Sequence, residues 1–224
     1  MAHKKFPYYP IFLDVENRDV VIIGGGNVCA RKAETMLRYG ANVTVVSPDF
    51  TDEIETWARE GTIRIKRKEY DESDLDGASI VIASTDDESV NGRIARDCRR
   101  RRIPVNVVDV THLCEFIVPA IIEKGSIQLA VSTGGKSPAL ARTLKEDLQR
   151  LVGPEYAEVN DLLGELRPSA KKVLPTDADR KRFFDGILAR GILQMIREGK
   201  RKEAYETVAR ACEEAGIEFP AHAK

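Results

Sequence analysis

Val20-Val21-Ile22-Ile23-Gly24-Gly25-Gly26-Asn27-Val28-Cys29 reads as a strand that breaks into glycines and opens a helix. Four β-branched residues in a row suit a strand covered on both faces, as in a parallel sheet. Glycine permits positive φ and lets backbone N–H groups approach a pyrophosphate, which then sits at the positive end of the helix. Gly24 and Gly26 fill the first two places of G-x-G-x-x-G/A and Cys29, also small, fills the third. The residues alone leave a second reading open, a glycine-rich turn that only packs tightly.

Outward from this stretch, short β-branched runs alternate with amphipathic ones: strands at 20–23, 43–46, 63–65, 80–83 and 105–108. Between the first two, Cys29, Ala33, Met36 and Leu37 form one helical stripe that Gly40 stops. Ile54 and Trp57 mark a second helix over 52–60; Val90, Ile94 and Cys98 mark a third. The series is βαβ, a Rossmann-type parallel sheet whose ligand crevice lies at the C-terminal strand edges. At the end of the second strand, where an acid usually meets the adenosine ribose, stand Ser47, Pro48 and Asp49. No Arg or Lys occurs from Ser47 through Ala58, which favours NAD over NADP. Thr85 and Asp86 follow the fourth strand, each placed to cap the next helix or to touch the cofactor.

After Asp109 the texture changes. Strands are expected at 116–122 and 127–131, then helices with a leucine face at Leu140, Leu144, Leu148 and Leu151 and another face at Phe184, Leu188, Ile192 and Met195. Gly153-Pro154, Arg167-Pro168 and Pro175-Thr176 are expected to break the helices into short pieces. The chain divides into a nucleotide-binding sheet unit at 1–112, a small α+β region at 113–150 and a helical subdomain at 151–224. Thr133-Gly134-Gly135-Lys136-Ser137-Pro138 joins strand to helix, with Ser137 as N-cap and Pro138 at the first helical position. Its glycines, lysine and amides make either an anion nest or a tight turn.

Composition narrows the function classes. Charged residues are 32%, with 35 Lys+Arg against 36 Asp+Glu, so there is no global bias toward nucleic acid. The run Arg99 to Arg102 ends a helix, where cations complement the dipole, and no aromatics interleave with it. Four dispersed cysteines support neither a disulfide framework nor a thiol zinc site, and the three histidines, His3, His112 and His222, are too scattered for a metal cluster. Met1 to Lys5 leads into Phe6-Pro7-Tyr8-Tyr9-Pro10 rather than an apolar segment, and no apolar run approaches membrane-spanning length. The expected chain is cytoplasmic, with no membrane, nucleic acid or resident metal.

Asp109 follows the fifth strand on the edge that carries Gly24. A carboxylate there takes a proton from a substrate whose hydride leaves to nicotinamide, or simply caps a turn.

Six ordered blocks carry a resemblance. Pro10-Ile11-Phe12-Leu13, Gly24 through Lys32, Thr85-Asp86-Asp87, Asn106-Val107-Val108-Asp109, Cys114 through Ala120 and Ser132 through Pro138 resemble the dehydrogenase/chelatase module of sirohaem synthases. That resemblance implies NAD-dependent oxidation of precorrin-2 to sirohydrochlorin and, in many members, insertion of ferrous iron to give sirohaem. It implies that Asp109 serves both reactions, that Asn27, Val28, Pro48 and Asp49 contact the cofactor, beside Gly24, Gly25, Gly26 and Ser47 read from the glycine motif and the strand end, and that Gly135, Lys136 and Ser137 lie near the tetrapyrrole cleft. Because the tetrapyrrole is polyanionic, Arg31, Lys32, Lys136 and Arg142 are candidates for its carboxylates. The resemblance further implies an intertwined homodimer with 113–150 as its dimerisation region, and a stand-alone form without the fused methyltransferase of some members. Cys29 departs from the usual Ala or Gly, and Thr111 from a common Pro. The competing classes are a non-catalytic NAD-sensing module and a dehydrogenase of another small metabolite, the latter disfavoured by the scarcity of histidine.

Overall fold

The structure, a computed structural model, describes residues 8–220, so the start of the N-terminal stretch, His3 and His222 lie outside the described residues. The chain forms two compact units that divide between Val118 and Pro119.

The first unit alternates strand and helix: β1 (Asp19–Ile23), α1 (Asn27–Arg38), β2 (Asn42–Ser47), α2 (Asp52–Arg59), β3 (Arg64–Arg67), β4 (Ile80–Ala83), α3 (Glu88–Arg101) and β5 (Val105–Val107). All pairings are parallel, in the order β3-β2-β1-β4-β5. The order reverses direction at β1, which places a crevice at its C-terminal end. Alternation along the strands fills both faces. Val20, Ile22, Val43, Val45, Ile80 and Ile82 pack with Cys29, Ala33 and Ile54 on one side. Val21, Ile23, Val81, Val105 and Val107 pack with Ile94 and Cys98 on the other. α1 ends as its sequence predicts, with Gly40 at φ +76° just past the last turn.

One local expectation changes. The cap of α3 is Asp87, not Thr85 or Asp86: its Oδ1 accepts from the Ser89 and Val90 amides at 2.7 and 3.2 Å. The basic run ends α3 in solvent, as expected, and its guanidiniums are also paired there. Arg100 pairs with Asp97 and Glu72, Arg101 pairs with Glu72 and Asp76, and Arg102 closes the helix in the left-handed region.

The second unit opens with an antiparallel hairpin, β6 (Ala120–Lys124) and β7 (Ile127–Val131), turned at Gly125 with φ +54°. The strand expected from Phe116 begins only at Ala120, because Pro119 has no N–H to give a ladder. Helices α4 (Pro138–Leu151), α5 (Pro154–Val173), α6 (Asp177–Ala189), α7 (Ile192–Arg197) and α8 (Arg201–Ala215) follow. Arg167-Pro168 breaks nothing, since α5 runs through it. An interior proline costs roughly 3 kcal/mol. Leu162, Leu166 and Ala170, at four-residue spacing across it, are all buried in the helical core and offset that cost. The face drawn through Phe184 to Met195 is split between α6 and α7 by Gly191 at φ +78°.

Candidate functional site

At the C-terminal end of β1 the Gly24 amide donates to the Val46 carbonyl at 2.9 Å, and the chain turns at φ +122°. A Cβ on Gly24 would stand 2.6 Å from the Ser84 carbonyl oxygen, and one on Gly25 would stand 1.8 Å from that of Asp49. The loops after β2 and β4 therefore close directly onto bare glycine backbone. Gly26 differs: a Cβ there would meet nothing within 4 Å. It is the N-cap of α1, has no side chain to cap the helix, and no acidic residue occupies the first turn. The Asn27 and Val28 amides at that N-terminus have no intrahelical acceptor, and the dipole favours an anion there.

These loops enclose a crevice of about 820 Å3. Gly24, Gly25, Gly26, Asn27, Val28, Ser47, Pro48, Asp49, Thr85 and Asp86 all line it, so every residue predicted for the cofactor comes to one place. A dinucleotide fits what is present: an open cradle at Gly26, free amides at a helix end, and a polar wall beyond β2. Thr85 is fixed by Asn91, which is buried: the Thr85 hydroxyl bonds to the Asn91 amide oxygen at 2.9 Å, and Asn91 donates to the Thr85 carbonyl at 2.8 Å.

Cys29 occupies the third fingerprint position with its thiol buried between helix and sheet. Burial pushes that thiol up to about 12, against a hydrogen bond from Ser84, so it packs as a small inert residue at neutral pH.

No local sequence signal marks the far wall. Tyr70, in the loop after β3, and Arg93, on α3, line the same crevice. The Arg93 guanidinium lies 5.1 Å from the Tyr70 ring centroid and donates to the Tyr70 carbonyl at 2.8 Å. The Tyr70 hydroxyl donates to Asp97 Oδ2 at 3.0 Å inside the core. Burial, then the bond and charge of Asp97, raise the phenol's pKa, keeping it a neutral donor. Strand pairing brings a further cation to the near wall. Ser47 pairs in register with Arg67, whose guanidinium donates to the Pro48 carbonyl at 3.4 Å and stacks on Phe50 with 5.0 Å to the centroid.

Asp109 stands past β5, exposed, with φ +61°, a conformation uncommon outside glycine. It does not line the crevice between the β1, β2 and β4 loops. Its charged neighbour is Lys32 on α1, whose pKa is lowered by burial and by Arg31 against the pull of Asp109. The segment after Asp109 is pinned. Arg99 donates to the Leu113 carbonyl at 3.1 Å and the His112 carbonyl at 3.4 Å, and the buried Asn106 donates to the Phe116 carbonyl at 3.0 Å.

Lys136, Ser137 and Arg142 belong to the second unit. Ser137 caps α4 through the Leu140 amide at 3.2 Å, as predicted, and Pro138 holds the first helical position. The Gly134, Lys136 and Ser137 amides bond to Ser132 Oγ, the Thr133 carbonyl and Thr133 Oγ1, so the loop closes on itself as a tight turn. Lys136 and Arg142 are exposed.

Three family models match in succession: a putative NAD(P)-binding domain over 11–120, the sirohaem biosynthesis protein central domain over 124–151, and the sirohaem synthase dimerisation region over 155–211. The chain belongs to the sirohaem synthase module family. In this family the siroheme synthase of Nitrosospira multiformis is 38% identical over 92% of this chain and 44% of its own length. That of an Enterobacter species is 37% identical over 89% of this chain and likewise 44% of its own length. The chain thus spans less than half the length of these curated relatives. The solved structure of SirC, a precorrin-2 dehydrogenase, superposes with a TM-score of 0.73 at 27% identity, covering 91% of this chain and all of that one. The model described as a dimerisation region falls on α5 to α8, and the central model covers the hairpin turn, β7 and α4.

Proposed function

We propose that this chain oxidises precorrin-2 to sirohydrochlorin with NAD. The observation that carries the reading is the open cradle at Gly26, beneath an uncapped helix N-terminus on the C-terminal edge of the sheet. NAD supplies the hydride acceptor when bound. Gly26 gives the pyrophosphate close passage to backbone, Gly24 and Gly25 let the flanking loops close beside it, and the Asn27 and Val28 amides bond to it. Ser47, Pro48 and Asp49 take the adenosine ribose, with Thr85 and Asp86 as the opposite wall.

Asp109 accepts the proton that the substrate loses as its hydride departs. The reaction balances as precorrin-2 plus NAD+ giving sirohydrochlorin, NADH and a proton. Arg99 and Asn106 act behind Asp109 by fixing the segment that follows it. Lys136, Ser137 and Arg142 meet the substrate's carboxylates. Ferrous iron is the substrate of a second reaction: the ring nitrogens ligate it, and Asp109 removes pyrrole protons. The working form is a cytoplasmic homodimer that uses the exposed leucine face of α4.

The purified protein with precorrin-2 and NAD should develop sirohydrochlorin absorbance together with NADH. Asp109→Ala should cut that rate by about 10²–10⁴-fold while still binding NAD, as loss of a general base does. Absence of product from demonstrably active substrate overturns the dehydrogenase reading. Ferrous iron added to sirohydrochlorin and protein without NAD tests the second reaction alone.

A further inference from the structure

We propose that Glu55 and Arg67 set the choice between NAD and NADP, with Glu55 as a brake on an arginine otherwise placed to receive an adenosine 2′-phosphate. The proposal rests on the dinucleotide reading above and deepens it.

In sheets of this kind an acid at the end of the second strand accepts the ribose hydroxyls of NAD, or a nearby arginine accommodates the 2′-phosphate of NADP. Here β2 ends at Ser47, and the residues up to Ala58 contain no cation. Parallel pairing supplies one from outside that segment, because Arg67 is in register with Ser47. Its guanidinium contacts the Pro48 carbonyl and the face of Phe50, and both residues line the crevice. The cation therefore stands directly behind the wall assigned to the ribose.

Its fork is already engaged. Glu55, one turn into α2, accepts from Arg67 Nη2. The Arg67 side chain is 53% exposed and that of Glu55 34%, so the pair is solvent-screened and can exchange partners. A phosphate matches the guanidinium fork as well as a carboxylate does. The Glu55 carboxylate, however, both occupies the fork and repels a 2′-phosphate. The NAD hydroxyls carry no charge and are indifferent to this. The wild-type chain should therefore favour NAD, and neutralising Glu55 should release Arg67 to NADP.

The test is calorimetric titration of the full chain with NAD and with NADP, read as the ratio of the two association constants. Wild type should favour NAD. Glu55→Gln should raise the NADP:NAD ratio about tenfold, the scale of one charge-assisted hydrogen bond. Glu55→Gln combined with Arg67→Ala should return the ratio to the wild-type value or below. Glu55→Ala serves as a second release variant, and thermal unfolding checks that each variant is folded. A wild-type preference for NADP, a ratio unmoved by both Glu55 variants, or a rise that survives Arg67→Ala each overturns the proposal. Failure of the wild-type chain to bind either dinucleotide overturns the underlying reading instead.

Discussion

The carbonyl oxygen of Asp49 overhangs the α-carbon of Gly25 so closely that a Cβ there would stand 1.8 Å away, whereas one on the adjacent Gly26 would meet nothing within 4 Å. The two neighbours therefore do different work: Gly25 lets two loops close, and Gly26 leaves room for a ligand.

That contrast gives the first prediction. Gly25→Ala should displace the loop after β2 and destabilise the first unit by about 2 kcal/mol or more, since the obstacle is backbone and cannot swing aside. Gly26→Ala, at φ −85°, is conformationally ordinary and should unfold within a few degrees of wild type. Its methyl group fills the cradle, so NAD affinity should drop at least about tenfold. Thermal unfolding paired with calorimetry separates the two effects.

A second prediction concerns Arg99. Its guanidinium holds the carbonyls of His112 and Leu113, three and four residues beyond Asp109. Hydrogen bonds from a charged donor contribute roughly 1.5–3 kcal/mol each at best, and the exposed setting of Arg99 discounts this. Arg99→Ala should slow dehydrogenation about five- to tenfold through kcat, because the Asp109 segment loosens. NAD affinity should hold, since the cradle lies on other loops. An equal fall in NAD affinity would place Arg99 in the general stability of the sheet unit.

The third prediction is a pH dependence. Asp74 is buried, and burial alone would raise its carboxyl. The Asp71 amide at 3.0 Å, Lys68 at 2.9 Å and Lys66 at 3.0 Å outweigh that and hold it below the usual carboxylate range. A native pKa below the unfolded value of about 3.9 means that the stabilisation is complete above that value and is lost as pH falls through the native one. Asp74→Asn should cost about 1–3 kcal/mol at neutral pH and flatten the acid limb of the stability curve below about pH 4. Urea titrations between pH 3 and pH 7, compared with wild type, read both.

The sheet and its cradle were legible because their signals are local. Val20 to Ile23 is a run that only a twice-covered strand buries, and the glycines follow it without a gap. What stayed hidden depends on register. Arg67 reaches the Pro48 loop only because β3 pairs with β2 at Ser47, and Tyr70 meets Arg93 only once α3 packs beside the loop after β3. The Arg99–Arg102 run does end its helix in solvent, but its partners Glu72, Asp76 and the carbonyls after Asp109 lie far off in the chain and carry no local signal. Pro168 misled for the opposite reason. A local rule against interior proline lost to a stripe of buried residues on either side of it.

The last prediction concerns α4, which has no buried residue although it carries a leucine every fourth or third position. Leu140 is 51% exposed, Leu144 39% and Leu151 63%. An amphipathic helix with no fully buried residue and leucines this exposed leaves apolar area that a monomer rarely keeps in water. If a second copy covers that face, Leu144→Glu places an unpaired carboxylate in the interface, and the desolvation cost falls on association rather than on folding. Light scattering should then find dimers for the wild type and monomers for Leu144→Glu at micromolar concentration, with α5 to α8 still cooperatively folded. A Leu144→Glu protein that remains dimeric would move the interface onto the helices of 155–211, the segment that matches the dimerisation model.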